Sequence, residues 1–112
     1  MYYHGTSDIW LDKINKKGIL PSEITGNKLE NRSKNLNVVF LTDNPKFAKG
    51  YAIRACLKFG GNPIIIKVKS NPNINFERQE QFVAFEVKKQ YILKIINLDI
   101  DISYEEMVKC FE

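Results

Sequence analysis

The sequence holds a single histidine, His4, in the opening stretch "MYYHGTS". An imidazole can donate from one ring nitrogen and accept at the other, so its partners decide its role. Metal ligation is not among the roles this chain supports. Cys56 and Cys110 fall in different elements, the carboxylates are scattered, and no cluster has metal-type spacing. Neither a Ser-His-Asp nor a Cys-His arrangement can be recognised from spacing. No GxxxxGK[ST] and no GxGxxG follows a strand, so the familiar phosphate cradles are excluded. Two other stretches carry residues with chemical potential. In "LTDNPKFAKGY", Tyr51 follows Asp43 by eight residues, and in "RQEQFVAF", Glu80 and Gln81 stand together before an apolar run.

These residues need elements to position them. Tyr2 to His4 reads as a short strand cut off by Gly5-Thr6-Ser7. Ser7 or Asp8 can cap a helix with Trp10, Leu11 and Ile14 on one face, and Gly18 suits its left-handed end. Residues 22–37 are polar, basic and without periodicity, a long loop of the kind that often binds or covers a ligand. Val38–Thr42 has the branched and aromatic content of a buried strand. Asn44 as N-cap and Pro45 at the first helical position then start a helix to about Phe59. Its apolar positions are Phe47, Ala48, Tyr51, Ala52, Ala55 and Phe59, so Tyr51 suits core packing as well as ligand stacking. Strands are expected at Pro63–Lys69, Gln81–Val87 and Tyr91–Leu98, with "SNPN" as a turn. Ser103 and Glu106 form a capping box for a last helix through Phe111. The order β-α-loop-β-α-β-β-β-α describes one small α+β domain over 1–112.

Composition narrows the setting. The chain has 112 residues, 44% of them hydrophobic, enough for one two-layer core. No apolar run approaches the ~20 residues of a membrane span. The first residues lack the basic and apolar regions of a signal peptide, so a cytoplasmic protein with free thiols is expected, with no membrane partner. Residues 1–56 carry nine Lys/Arg against five Asp/Glu, and residues 57–112 carry eight against eight. The whole net charge of +4 thus lies in the first half, a mild attraction for nucleic acid, phosphate or an acidic partner.

"YHGTS" closing a first strand and "VVFLTDNPKFAKGYA" closing a second resemble the ADP-ribosyltransferase fold. The closer likeness is to its His-Tyr-Glu branch, that of poly-ADP-ribose polymerases and diphtheria-type toxins. The resemblance spans roughly Tyr2 to Leu98 and implies a split β-sheet with flanking helices that uses NAD as co-substrate. His4 would hydrogen-bond a ribose hydroxyl, and the Gly5 main chain would pair with the nicotinamide carboxamide. Thr6 or Ser7 would reach the ribose or adenine side. Tyr51 would stack on the nicotinamide, Phe40 would hold the place of a motif tyrosine, and Tyr3, Thr42 and Phe47 would complete the donor site. Lys28, Arg32 and Lys34 would meet the pyrophosphate from the loop.

The third family motif begins with a glutamate that stabilises the oxocarbenium-like charge of the breaking glycosidic bond. Gln81 aligns there, with Glu80 one residue earlier, and strand neighbours point to opposite faces unless a bulge intervenes. The resemblance implies transfer of ADP-ribose to a protein or nucleic-acid acceptor, by an effector, toxin or anti-defence protein of bacterial or phage type. It leaves open a non-catalytic NAD-binding member, a protein-binding inhibitor, and an RNA 2'-phosphotransferase. The last of these needs several arginines, where this chain has Arg32, Arg54 and Arg78.

Overall fold

The computed structural model describes residues 1–21 and 38–98. The basic loop with Lys28, Arg32 and Lys34, the expected helix from Ser103 to Phe111 and Cys110 lie outside the described residues.

Among the described residues, six strands form two antiparallel three-stranded sheets. β1 (Tyr2–Ser7), β3 (Pro63–Val68) and β6 (Ile92–Asn97) make one, in the order β1-β3-β6. β2 (Val39–Leu41), β4 (Ile74–Arg78) and β5 (Gln81–Ala84) make the other, in the order β2-β5-β4. An isolated bridge, Tyr3 with Thr42, links β1 to β2. Beyond it no main-chain ladder joins the two strands, and this break in pairing is the split between the sheets.

β3 lies at the centre of its sheet, and its run of isoleucines serves both faces. Ile64, Ile66 and Val68 join Ile14, Ile19, Val39, Leu41, Ala84 and Val87 in a core shared by the two sheets. α1 (Leu11–Lys17) contributes Ile14 to that core, after a 3-10 turn over Asp8–Trp10. Gly18 ends the helix with φ 79°, a backbone that favours glycine, and its N–H bonds the Ile14 carbonyl. Ile19 then pairs with Val87.

The other face of the β1-β3-β6 sheet is covered by α2 (Pro45–Phe59). Asn44 caps it as expected, its Oδ1 accepting from the Lys46 N–H at 3.0 Å. Its buried residues are Ala48, Ala52, Ile53, Ala55 and Cys56. Phe47, expected on that buried face, is 48% exposed. The alanines let the helix axis approach the sheet, and Phe47, one residue before Ala48, is turned about 100° around the helix from it.

Several boundaries differ from the sequence reading. The first strand runs on through Ser7, because Thr6 and Ser7 pair with Ile64 and Pro63. The strand expected over Gln81–Val87 stops at Ala84, and the last begins at Ile92 after a 3-10 turn over Lys89–Tyr91. β4 was not expected at all. It is the outer strand of its sheet, and apart from half-buried Ile74 its residues are exposed, so "INFER" lacks the apolar weight of a buried strand.

Candidate functional site

Tyr3 and Thr42 exchange two main-chain hydrogen bonds, 2.7 Å from the Tyr3 N–H and 3.0 Å from the Thr42 N–H. In an antiparallel strand, alternate residues direct their N–H and C=O to the same side. Since Tyr3 faces β2, Gly5 faces it too, and among the described residues no main-chain bond joins it to Phe40 opposite. The main-chain donor and acceptor of Gly5 therefore point into the split. The Phe40 carbonyl, which a continued ladder would give to Gly5, instead accepts from His4 Nδ1 at 2.9 Å. A carbonyl can only accept, so Nδ1 carries the hydrogen. Burial lowers the His4 pKa below its ordinary value, more than the Phe40 bond raises it, and the ring is neutral. Its Nε2 is then an acceptor.

The pleat sorts the neighbours of the split. Tyr2, His4 and Thr6 pair with Val68, Ile66 and Ile64 and share the core face, whereas Tyr3, Gly5 and Ser7 face α2. Gly5 is required there by packing: a Cβ on it would collide with the Ala48 carbonyl oxygen and lie 2.8 Å from the Ala52 nitrogen. Gly5 is itself buried, with its main chain running along the split. His4 and the half-buried Tyr51 of α2 lie on opposite faces of the sheet, so a ligand touching both must pass through the split beside Gly5.

Thr6 and Ser7 are fully buried. The Ser7 hydroxyl donates to the Gly60 carbonyl at 2.5 Å and accepts from the Ile9 N–H at 3.3 Å, so it ties β1 to the end of α2 and caps the 3-10 turn. Cys56 lies beside it, and burial pushes the thiol above its ordinary pKa, which argues against a reactive nucleophile. Thr42 is buried too, its Oγ1 accepting from the Asn44 N–H at 3.1 Å. Phe40 and Tyr3 are half-buried, and Phe47 is exposed on the first turn of α2.

Across the split, Gln81 opens β5 beyond the Leu41–Phe82 pair, on the face opposite Phe82 and Leu41. It is 6% exposed. Its Oε1 accepts from Arg78 Nε at 2.6 Å, and its Nε2 is buried with no hydrogen-bond partner. Glu80 sits in the turn between β4 and β5, outside either strand, with φ 61°. The bulge that would bring Glu80 inward is absent from β5; the irregularity lies on β4, between Phe76 and Arg78. Gln81 is thus the buried residue of the pair.

Sequence reasoning missed Arg78 and Trp10. Arg78 becomes legible once "INFER" and "QFVA" are read as a hairpin, since the two-residue turn brings Arg78 opposite Gln81. Trp10 was assigned only to packing, yet its indole Nε1 is buried with no partner. Among the described residues, no group of three or more His, Cys, Asp or Glu could hold a metal ion, and no helix is long and apolar enough to cross a membrane.

Fold and site define a small α+β domain with two antiparallel sheets. No protein-family model matches the chain, and no curated protein matches it.

Proposed function

We propose that the split between β1 and β2 binds NAD and that the domain is of ADP-ribosyltransferase type, directing ADP-ribose to a macromolecular acceptor. The observation that carries this reading is the Gly5 main chain, which makes no backbone bond to β2 among the described residues, beside the neutral His4 ring, whose Nδ1–H is held by the Phe40 carbonyl at 2.9 Å. A primary carboxamide both donates and accepts, as a strand residue with a free N–H and C=O requires. An imidazole Nε2 that only accepts suits a ribose hydroxyl. Tyr51 and Tyr3 on the α2 side of the sheet, and Phe40 on β2, would supply ring surface to a ligand that reaches past Gly5.

Residues argued from the resemblance divide accordingly. His4, Gly5, Tyr51, Phe40, Tyr3 and Gln81 form the proposed NAD site. Thr6, Ser7 and Thr42 build its walls and spend their polar groups within the protein. Glu80 is a turn residue.

A second reading, NAD binding without transfer, is favoured by Gln81. An amide brings no negative charge to a developing oxocarbenium, and interactions that strengthen in the transition state are those that raise the rate. Calorimetric titration with NAD tests the binding claim, and nicotinamide release on candidate acceptors separates transferase from binder. NAD that binds and is not cleaved upholds the second reading. The absence of binding removes both.

A further inference from the structure

One end of the β1-β3-β6 sheet gathers lysines from several elements. α1 ends in Lys16 and Lys17. A Cβ on Gly18, the next residue, would lie 3.1 Å from the Lys89 nitrogen and 3.2 Å from the Lys88 carbonyl carbon, so the end of this helix abuts the turn that carries Lys88 and Lys89. In that turn the Tyr91 carbonyl accepts from the Lys69 N–H at 2.8 Å, which brings Lys69 beside it. Lys67 of β3 and Lys94 of β6 stand directly opposite each other in the ladder. All of these lysines are exposed except Lys67, which is half-buried. Like charges held across two strands weaken the pairing, and an anion between them removes that repulsion. Of the described carboxylates, Asp12 and Glu86 are nearest to the group in sequence, and no ion pair joins either to it among the described residues.

We propose that this end of the molecule binds the phosphate backbone of a single-stranded nucleic acid, running from Lys16 and Lys17 past Lys88 and Lys89 to Lys67 and Lys94. Two features choose this partner. The group consists of lysines, with no arginine among them. Lysine meets phosphate as a point charge from any direction, whereas the carboxylates of an acidic protein are better matched by the bidentate fork of arginine. The lysines also turn a corner. α1 packs on the core face of the sheet, while Lys67 and Lys94, in register with Tyr3, lie on the face toward α2. A flat lipid surface cannot touch both faces at once, and a stiff duplex bends poorly round an edge, but a flexible strand follows it. The contact is independent of sequence, because backbone phosphates carry no base identity. This surface narrows the macromolecular partner to nucleic acid, and it stands whether or not the split binds NAD.

The test is fluorescence anisotropy of a labelled oligothymidylate, titrated with the full wild-type chain over a series of salt concentrations. Contacts from all of these lysines predict that the logarithm of the association constant falls with the logarithm of salt concentration at a slope of about −5. Lys94→Gln and Lys89→Gln should each make the slope shallower by about 0.7. Lys58→Gln should leave it unchanged, because that exposed lysine lies in the last turn of α2, at the Ser7 end of β1 and away from the group. Lys94→Gln should also raise the melting temperature by relieving the repulsion with Lys67, so its weaker binding cannot come from unfolding. A slope near zero, or an equal loss in Lys58→Gln, overturns the surface. So does equally tight binding of the duplex form or of polyglutamate, or binding of phosphatidylserine vesicles with the same dependence on Lys89 and Lys94. Calorimetry with NAD on the wild-type chain reports the other reading separately, and neither result decides the other.

Discussion

The Nδ1–H of His4 is committed to the Phe40 carbonyl, so substitutions there act on stability and binding through different atoms. His4→Ala strands that carbonyl and should cost about 1–3 kcal/mol of stability, measured by chemical denaturation. His4→Asn can still donate to Phe40 and should restore most of the stability, yet it lacks an acceptor in the place of Nε2 and should remain defective in NAD binding. The ring also gives a pH dependence. Burial holds the folded pKa below 6.5, so on acidification the unfolded chain takes up the proton first. Stability from this group is therefore full above about pH 6.5 and falls as the pH drops from there toward the depressed folded value. Denaturation midpoints at pH 7.5 and 5.5 should converge in His4→Asn, and an equal loss in both proteins would contradict the assignment. At residue scale the sequence exposed His4 by its rarity and its Gly-Thr-Ser context. It could not expose the Phe40 partner, 36 residues away, whose availability depends on where two strands part.

The elements differ in how openly their sequences declare them. α2 announces itself through Asn44, Pro45 and the terminal Gly60, because capping chemistry is local. β4 does not, because an outer strand can be largely polar and takes its structure from β5. The seating of α2 on β1 is tested by Gly5→Ala, whose methyl meets the helix backbone at Ala48 and Ala52. Overpacking of this kind should cost about 1–3 kcal/mol, since backbone cannot swing aside as a side chain does. A melting temperature equal to wild type would refute the close contact. In the β4–β5 turn, Glu80 holds a left-handed backbone that costs an L residue roughly 1–2 kcal/mol. Glu80→Gly should recover part of that, raise the denaturation midpoint and leave NAD affinity and nicotinamide release unchanged. Lost turnover in a stabilised Glu80→Gly would return Glu80 to the chemistry.

For the whole molecule, the α+β class and the order of most elements were legible because the apolar runs and glycine stops are local signals. The split was not, since it depends on which strands pair, and pairing joins residues as far apart as Tyr3 and Thr42 or Leu41 and Phe82. Whether transfer accompanies binding turns on Gln81. Its carboxamide oxygen already accepts from Arg78 at 2.6 Å, and Gln81→Glu would place a carboxylate in the same grip. That variant should release nicotinamide faster than wild type, if NAD lies in the split with its glycosidic bond near β5. An unchanged rate with NAD still bound would leave the domain a binder.

The most direct measurement is calorimetric titration of NAD into the folded wild-type chain and into His4→Asn, with melting curves recorded for both. Saturable binding by wild type, and binding at least tenfold weaker by an equally stable His4→Asn, is the predicted result. No heat from wild type, or equal affinity in the two proteins, would contradict an NAD site at the split.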